Sequence, residues 1–392
     1  MICVLPFNSI SIGSGGELRP CCNSNNRFPY QLLSNSTVDE IINHQEIQAL
    51  RSAFLRKEKP EICQRCWDIE DRNVKSFRMN ANENRFYGIA NNEVINFSRY
   101  ANFDQIQYLD ITLGNKCNLA CRMCIPSSSS LVSKQWLEMG RIQNTNHEIM
   151  HSDESKEKIL DLIDRCANLN TIYMLGGEPL VVDFHDEMLE YIIKKGRSKF
   201  IALNYNTNLQ IDLERKMDLW KHFRAVDIGV SIDGERKTYE YIRWPGKWQK
   251  VVDNLTRIFT NNYNIHVNIA TTVQNLNVDN LTSLLQEITV INQDLQFYFI
   301  PVSGPHKIEL ISPTVLMNEI NKLKSLKSHV YKLPDLISLL NSKLEDIVKV
   351  KQRDAEDFFF LQKQYDQLRK QNLFEVKPHF LEVADRFKIE TW

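Results

Sequence analysis

Three cysteines fall at Cys117, Cys121 and Cys124, with the spacing C-x3-C-x2-C, directly after a strand-like run over residues 106–113. Cysteine thiolates ligate iron–sulfur clusters, and a cubane of four irons ordinarily takes four of them. Three thiolates from one tight loop, with no fourth at the usual spacing, leave one iron open to an outside ligand. A structural zinc site instead wants four ligands, usually drawn from two separated pairs. The opening segment, Met1-Ile-Cys-Val-Leu-Pro-Phe7, lacks the charged and apolar regions of a secretory signal, which argues against disulfides and for a cytoplasmic location.

The chain has nine cysteines, and eight of them fall into two groups. The second group is Cys3, the adjacent pair Cys21 and Cys22, and the C-x2-C pair Cys63 and Cys66. Four such thiolates can hold an iron–sulfur centre, and zinc accepts the same set. Adjacent side chains of an extended segment point in different directions, so one metal centre rarely takes both members of a Cys-Cys pair. Cys21 follows Gly16 as G-x4-C, with Pro20 stiffening the approach. We therefore expect ligation by Cys3, Cys21, Cys63 and Cys66, with Cys22 as a buried thiol nearby. Cys166 stands alone on a helical face with Ile159 and Ile163, and reads as a small core residue.

Further polar motifs follow in order. Met174-Leu-Gly-Gly-Glu-Pro179 combines two glycines, which permit close backbone approach, with the carboxylate of Glu178. On its own, Gly-Gly-Glu is a common turn. Asn204-Tyr-Asn-Thr-Asn208 ends a strand-like run, with Asn206 and Asn208 either facing a ligand or closing the strand. Val230-Ser-Ile-Asp-Gly234 offers Ser231 and Asp233, and Arg243 follows nine residues beyond the glycine. An arginine fork suits a carboxylate; a surface salt bridge is the plainer reading.

Elements that place these motifs are legible as strand-like runs over 108–113, 171–175, 200–206, 226–232, 266–273 and 296–302. Helical patterns lie between them, over 156–167, 184–195, 213–223, 248–260 and 279–289. Alternating strands and helices predict an α/β fold with a parallel sheet, whose chemistry belongs at the C-terminal strand ends. Thr37-Val-Asp-Glu40 is a capping box opening a helical stretch toward Lys57. Residues 71–105 read as a connector, and 126–152 as a long insertion beginning with a serine run. That run is a solvated loop or a substrate-facing lid. From 306 onward the chain is charged and helix-patterned. No apolar run approaches a membrane span. A net charge of −1 advertises no nucleic-acid surface.

The cysteine loop resembles that of the radical S-adenosylmethionine (radical SAM) superfamily, with Met123 where an aromatic residue is frequent. The resemblance implies a partial (β/α)6 barrel over 106–305 and a SAM molecule chelated by the open iron. Gly176, Gly177 and Glu178 would meet its amino group. Asn206, Asn208, Ser231, Asp233 and Arg243 would contact its ribose and carboxylate side, and Val273 its adenine. The N-terminal cysteines, over 1–70, resemble the auxiliary-cluster modules called twitch and SPASM, here placed before the barrel; residues 306–392 carry little of either resemblance. The implied cofactors are two 4Fe–4S clusters and SAM, with a one-electron donor such as flavodoxin or ferredoxin as partner. The implied reaction is hydrogen abstraction, of oxidoreductase or transferase type, with a peptide or protein side chain the favoured substrate. A nucleotide, sugar or other small molecule is the alternative. An iron–sulfur electron carrier without SAM chemistry and a zinc-stabilised binding module are the competing classes.

Overall fold

The computed structural model describes residues 2–24, 36–83, 97–145, 153–261, 264–326, 330 and 332–392. It divides into two units. The first comprises Met1–Cys117, His147–Asn206 and Asp212–Asp227; the second comprises Asn118–Asn146, Thr207–Ile211 and Ile228–Trp392.

The first unit is built on β1 (Ser9–Ile12), β2 (Leu18–Arg19), β3 (Tyr108–Thr112), β4 (Thr171–Leu175) and β5 (Ala202–Thr207), in the order β2-β1-β3-β4-β5. β1 runs antiparallel to β2 and parallel to β3, which is parallel to β4, and β4 to β5. Side chains alternate across a strand, so register decides which residues share a face. One face carries Ile10, Ile12, Leu109, Ile111, Ile172, Met174 and Leu203, all buried. The opposite face carries a polar row, with Ser11 paired to both Arg19 and Asp110, Asp110 to Tyr173, and Tyr173 to Asn204. The helices Asp153–Arg165 and Asp183–Lys194 bury one apolar stripe each, Ile159, Leu162 and Ile163 in one and Phe184, Met188, Leu189 and Ile192 in the other.

The N-terminal segment therefore supplies two strands to the sheet, which its short Ser-Ile-Ser-Ile pattern did not announce. The capping box forms as expected: the Glu40 carboxylate accepts from the Thr37 N–H at 2.8 Å, and the helix Val38–Ile42 breaks before Gln45–Leu55. Of the expected connector, residues 84–96 lie outside the described residues.

β6 (Ala225–Ser231) leads from the first unit into the second, where β7 (Ile265–Val273) and β8 (Gln296–Pro301) follow in parallel. The six strands expected from the sequence are all present. Two helices of this unit were not read from the sequence as such, α1 (Ser130–Glu138) and α2 (Arg236–Ile242). The serine run ends in a buried cap rather than a solvated loop: Ser129 accepts from the Val132 N–H at 3.3 Å. Residues 146–152 of that insertion lie outside the described residues. The C-terminal region is helical, and its longest element is α3 (Gln352–Arg369). Phe358, Phe359, Phe380 and Leu373 pack there with Tyr241 and Ile242, and Met123 lies against this cluster. A large apolar side chain is what the position before Cys124 requires.

Candidate metal centres

In the first unit, the segment leaving β3 and the glycines after β4 dock backbone to backbone. Gly177 donates its N–H to the Gly114 carbonyl at 3.0 Å, and Glu178 donates to Lys116 at 2.9 Å. A Cβ on Gly177 would lie 2.5 Å from the Lys116 oxygen and 2.6 Å from that of Asn115. No side chain fits there, which is the physical need for glycine. Glu178 is buried, and one carboxylate oxygen accepts from the Leu180 N–H at 3.2 Å.

In the second unit, four attachments hold the segment bearing Cys121 and Cys124. Asn118 donates to the Gln210 carbonyl and accepts from Asn208, each at 2.8 Å. The Asn208 oxygen accepts from the Gln210 N–H, so both ends of its amide serve this turn. Ala120 and Arg122 donate their N–H groups to Trp244 and Ile242 at 2.7 and 2.8 Å. The Ser129 hydroxyl donates to the Leu119 carbonyl at 2.8 Å.

The fourth attachment comes from α3. Arg122, set between Cys121 and Cys124, pairs with Asp366 at 2.6 Å, donates to Gln362 at 2.8 Å and lies 3.6 Å from the Tyr241 ring centre. Arg369 donates to the Ala120 carbonyl at 2.8 Å and to Gln135 at 2.7 Å. Neither arginine was singled out in the sequence. The only signal was a charged residue inside an otherwise small cysteine loop.

Arg243 caps the C-terminus of α2, buried, 2.8 Å from Asp233 and 3.8 Å from the Cys121 sulfur. Burial raises the Cys121 thiol pKa, with Arg243 pulling it back down. Burial and then Cys121 push the Cys124 thiol up to about 12. Burial also raises Asp233, against the opposing pull of Arg243. Thiolates in such surroundings need cationic partners, which a metal ligated there would supply. Ser231 stands half-buried at the end of β6, and Val273 is fully buried at the end of β7.

The N-terminal cysteines of the first unit surround a cavity lined by Cys3, Cys21, Cys63 and Cys66, with Arg78 and Phe54 on its wall. Burial raises Cys3, and Cys21, Cys63 and Cys66 add to that shift. Cys21 and Cys63 each rise to about 12, again through burial first and neighbouring thiols next. Four cysteines around one cavity could serve together as the donor set of a thiolate-held centre. Cys22 is not part of that lining; it bonds to Asp110 on the polar sheet face through both its thiol and its backbone. Asp110 accepts from the Ser11 hydroxyl at 2.8 Å, and Asn206 donates to the Tyr173 hydroxyl at 2.7 Å. Asp110 was legible as the one charge within its strand but was passed over.

Among the described residues, no three His, Cys, Asp or Glu side chains gather closely enough to hold a single metal ion. All nine cysteines are free thiols, and Cys166 is wholly buried.

Residues 111–288 match the radical SAM superfamily, and residues 3–67 match an iron–sulfur cluster-binding domain, SPASM. Among curated proteins, the chain is 23% identical over 229 residues to a GTP 3',8-cyclase of Clostridium perfringens (strain 13 / Type A), covering 57% of this chain and 65% of that one. It is 25% identical over 164 residues to a GTP 3',8-cyclase of Actinobacillus pleuropneumoniae serotype 3 (strain JL03), covering 41% and 42%. The chain thus spans less than two thirds of these relatives' length. Among solved structures, native anSMEcpe with bound AdoMet and Cp18Cys peptide aligns with a TM-score of 0.39 at 17% identity, over 54% of this chain and 57% of that one.

Proposed function

We propose, for a chain that belongs to the radical SAM superfamily and carries a SPASM-type iron–sulfur domain over residues 3–67, that it abstracts hydrogen from a nucleotide or similar small polar substrate. When bound, the cluster and SAM together supply reductive cleavage of SAM to methionine and a 5′-deoxyadenosyl radical. Cys117, Cys121 and Cys124 would hold that cluster. Arg243 would offer SAM's carboxylate a permanent cation, and Glu178, held by the close packing of Gly177 on Asn115 and Lys116, would meet its amino group. The observation that carries this reading is the segment bearing Cys121 and Cys124, held within its own unit by Trp244, Ile242 and α3.

Supporting the substrate class are the curated relatives, which are GTP 3',8-cyclases, and the polar row Ser11, Asp110, Tyr173 and Asn204. Those groups offer hydrogen-bond donors and acceptors of the kind a base or ribose needs. The peptide or protein substrate expected from the sequence has less support than this alternative. Cys3, Cys21, Cys63 and Cys66 would hold the auxiliary cluster. The reading keeps an auxiliary segment near residues 1–70, a connector over 71–105, the SAM-binding segment over 106–305 and a helical remainder over 306–392. It takes an external one-electron donor such as flavodoxin or ferredoxin. Nine free thiols fit a reducing cytoplasm, and no helix among the described residues is long and apolar enough to cross a membrane.

The test is deuterium transfer. Deuterated nucleoside triphosphates and deuterated peptides are incubated anaerobically with reconstituted protein, SAM and dithionite, and 5′-deoxyadenosine is analysed by mass. Label arriving from a nucleotide supports the proposal; label arriving only from peptides would restore the other substrate class.

A further inference from the structure

Arg369 closes α3, beyond the residues that match either family. Its side chain is 7% exposed. Only Nη2 is engaged, with Ala120 and Gln135, while Nε and Nη1 have no hydrogen-bond partner among the described residues. The carboxylate one turn earlier, Asp366, is committed to Arg122 at 2.6 Å. Stacking on Tyr365, 4.0 Å from the ring centre, leaves the charge itself uncompensated. A guanidinium does not deprotonate in a protein. A buried, unpaired cation with two idle N–H groups is costly unless an anion completes the site. Burial and the like charge of Arg122 work against its charge, and Tyr365, Cys121 and Tyr241 work for it.

We propose that Arg369 is an electrostatic positioning residue for the cluster that Cys117, Cys121 and Cys124 would hold: its fixed charge, beside Cys121 with that of Arg243, raises the cluster's reduction potential. This rests on the proposed reading of that loop as a cluster site. The physical ground is general. One-electron reduction adds a negative charge, a nearby cation favours the reduced form, and hydrogen bonds and charge around the sulfurs set the potential. A unit charge acting over ~10 Å through an effective dielectric near 20 changes such an equilibrium roughly tenfold.

The test is an EPR-monitored redox titration of the anaerobically reconstituted full chain, following the signal that changes when SAM is added. Arg369→Gln should lower the reduced-to-oxidised ratio at fixed potential about tenfold, a fall of about 59 mV for one electron. Arg369→Lys, which keeps the charge, should stay within about threefold of the wild type. An unmoved potential in Arg369→Gln with iron retained overturns the inference. If Arg369→Gln does not hold iron, the Lys variant decides: a potential near that of the wild type supports the charge, and a tenfold fall overturns it. A wild-type protein in which no EPR signal responds to SAM rejects the underlying cluster reading instead.

Discussion

Arg122 Nη2 lies 2.6 Å from Asp366 Oδ1, and both side chains are essentially fully buried. The pair joins the middle of the cysteine loop to α3 across 244 residues of sequence. Asp366 also accepts from the Tyr241 hydroxyl, the Leu373 N–H and the Trp392 indole, at 3.0, 2.6 and 3.1 Å. The C-terminal region thus fixes the loop that bears Cys121 and Cys124. Removing one partner of such a pair leaves a buried charge without compensation, at a cost of about 3–5 kcal/mol. Asp366→Ala should therefore lose iron from this loop and melt at lower temperature, while the N-terminal centre keeps its iron. Iron per chain and a thermal melt check this; an unchanged melt with full iron would show that the pair is dispensable.

Cys21 and Cys22 are adjacent, yet only Cys21 lines the N-terminal cavity. Cys21→Ala should reduce iron toward one cluster per chain, whereas Cys22→Ala should leave two. Mössbauer spectra with iron analysis separate these outcomes. The reverse pattern would assign Cys22 as the ligand.

Glu178→Gln keeps an oxygen for the Leu180 N–H and removes the charge. If that charge meets the SAM ammonium, the lost contact is worth about 1.5–3 kcal/mol, or roughly a ten- to hundredfold weaker Kd. Calorimetry on the iron-replete variant measures it, and wild-type affinity would confine Glu178 to its cap. Arg243→Ala should behave differently, because it strands the buried Asp233 and exposes Cys121 to loss of its cation. Lowered iron as well as weakened SAM binding is expected there.

How much of this was legible follows from the range of the interactions. Six strands and the intervening helices read correctly because alternation and helical periodicity are local properties of the chain. The Thr37–Glu40 capping box was legible for the same reason. β1 was not, because four residues of Ser-Ile alternation gain meaning only when paired with β3. Arg122 and Arg369 were not, because their partners come from distant sequence. Asn208 read equally well as a ligand contact or a strand closure. The fold spends both ends of its amide on Gln210 and Asn118.

Asp110 gives the polar face a pH signature. Burial lifts its carboxyl from 3.8 to about 6, opposed by the Ser11 hydroxyl and by Arg19. A group raised above its unfolded value contributes stability that is complete below pH ~4 and is lost as pH rises through about 6. The shift corresponds to about 3 kcal/mol. Asp110→Asn, which cannot ionise, should gain stability relative to the wild type between pH 4 and pH 7. Parallel denaturant titrations across that range check the sign; parallel curves for the two proteins would place Asp110 in ordinary solvent-like surroundings.

The central claim is that Cys117, Cys121 and Cys124 hold the cluster at which SAM is cleaved. Its most direct measurement is 5′-deoxyadenosine produced by anaerobically reconstituted protein with SAM and dithionite, beside the same protein with all three cysteines changed to Ala. The wild type should make 5′-deoxyadenosine, slowly even without substrate, and the triple variant should make none while keeping the N-terminal iron. Undiminished 5′-deoxyadenosine from the triple variant would contradict the account.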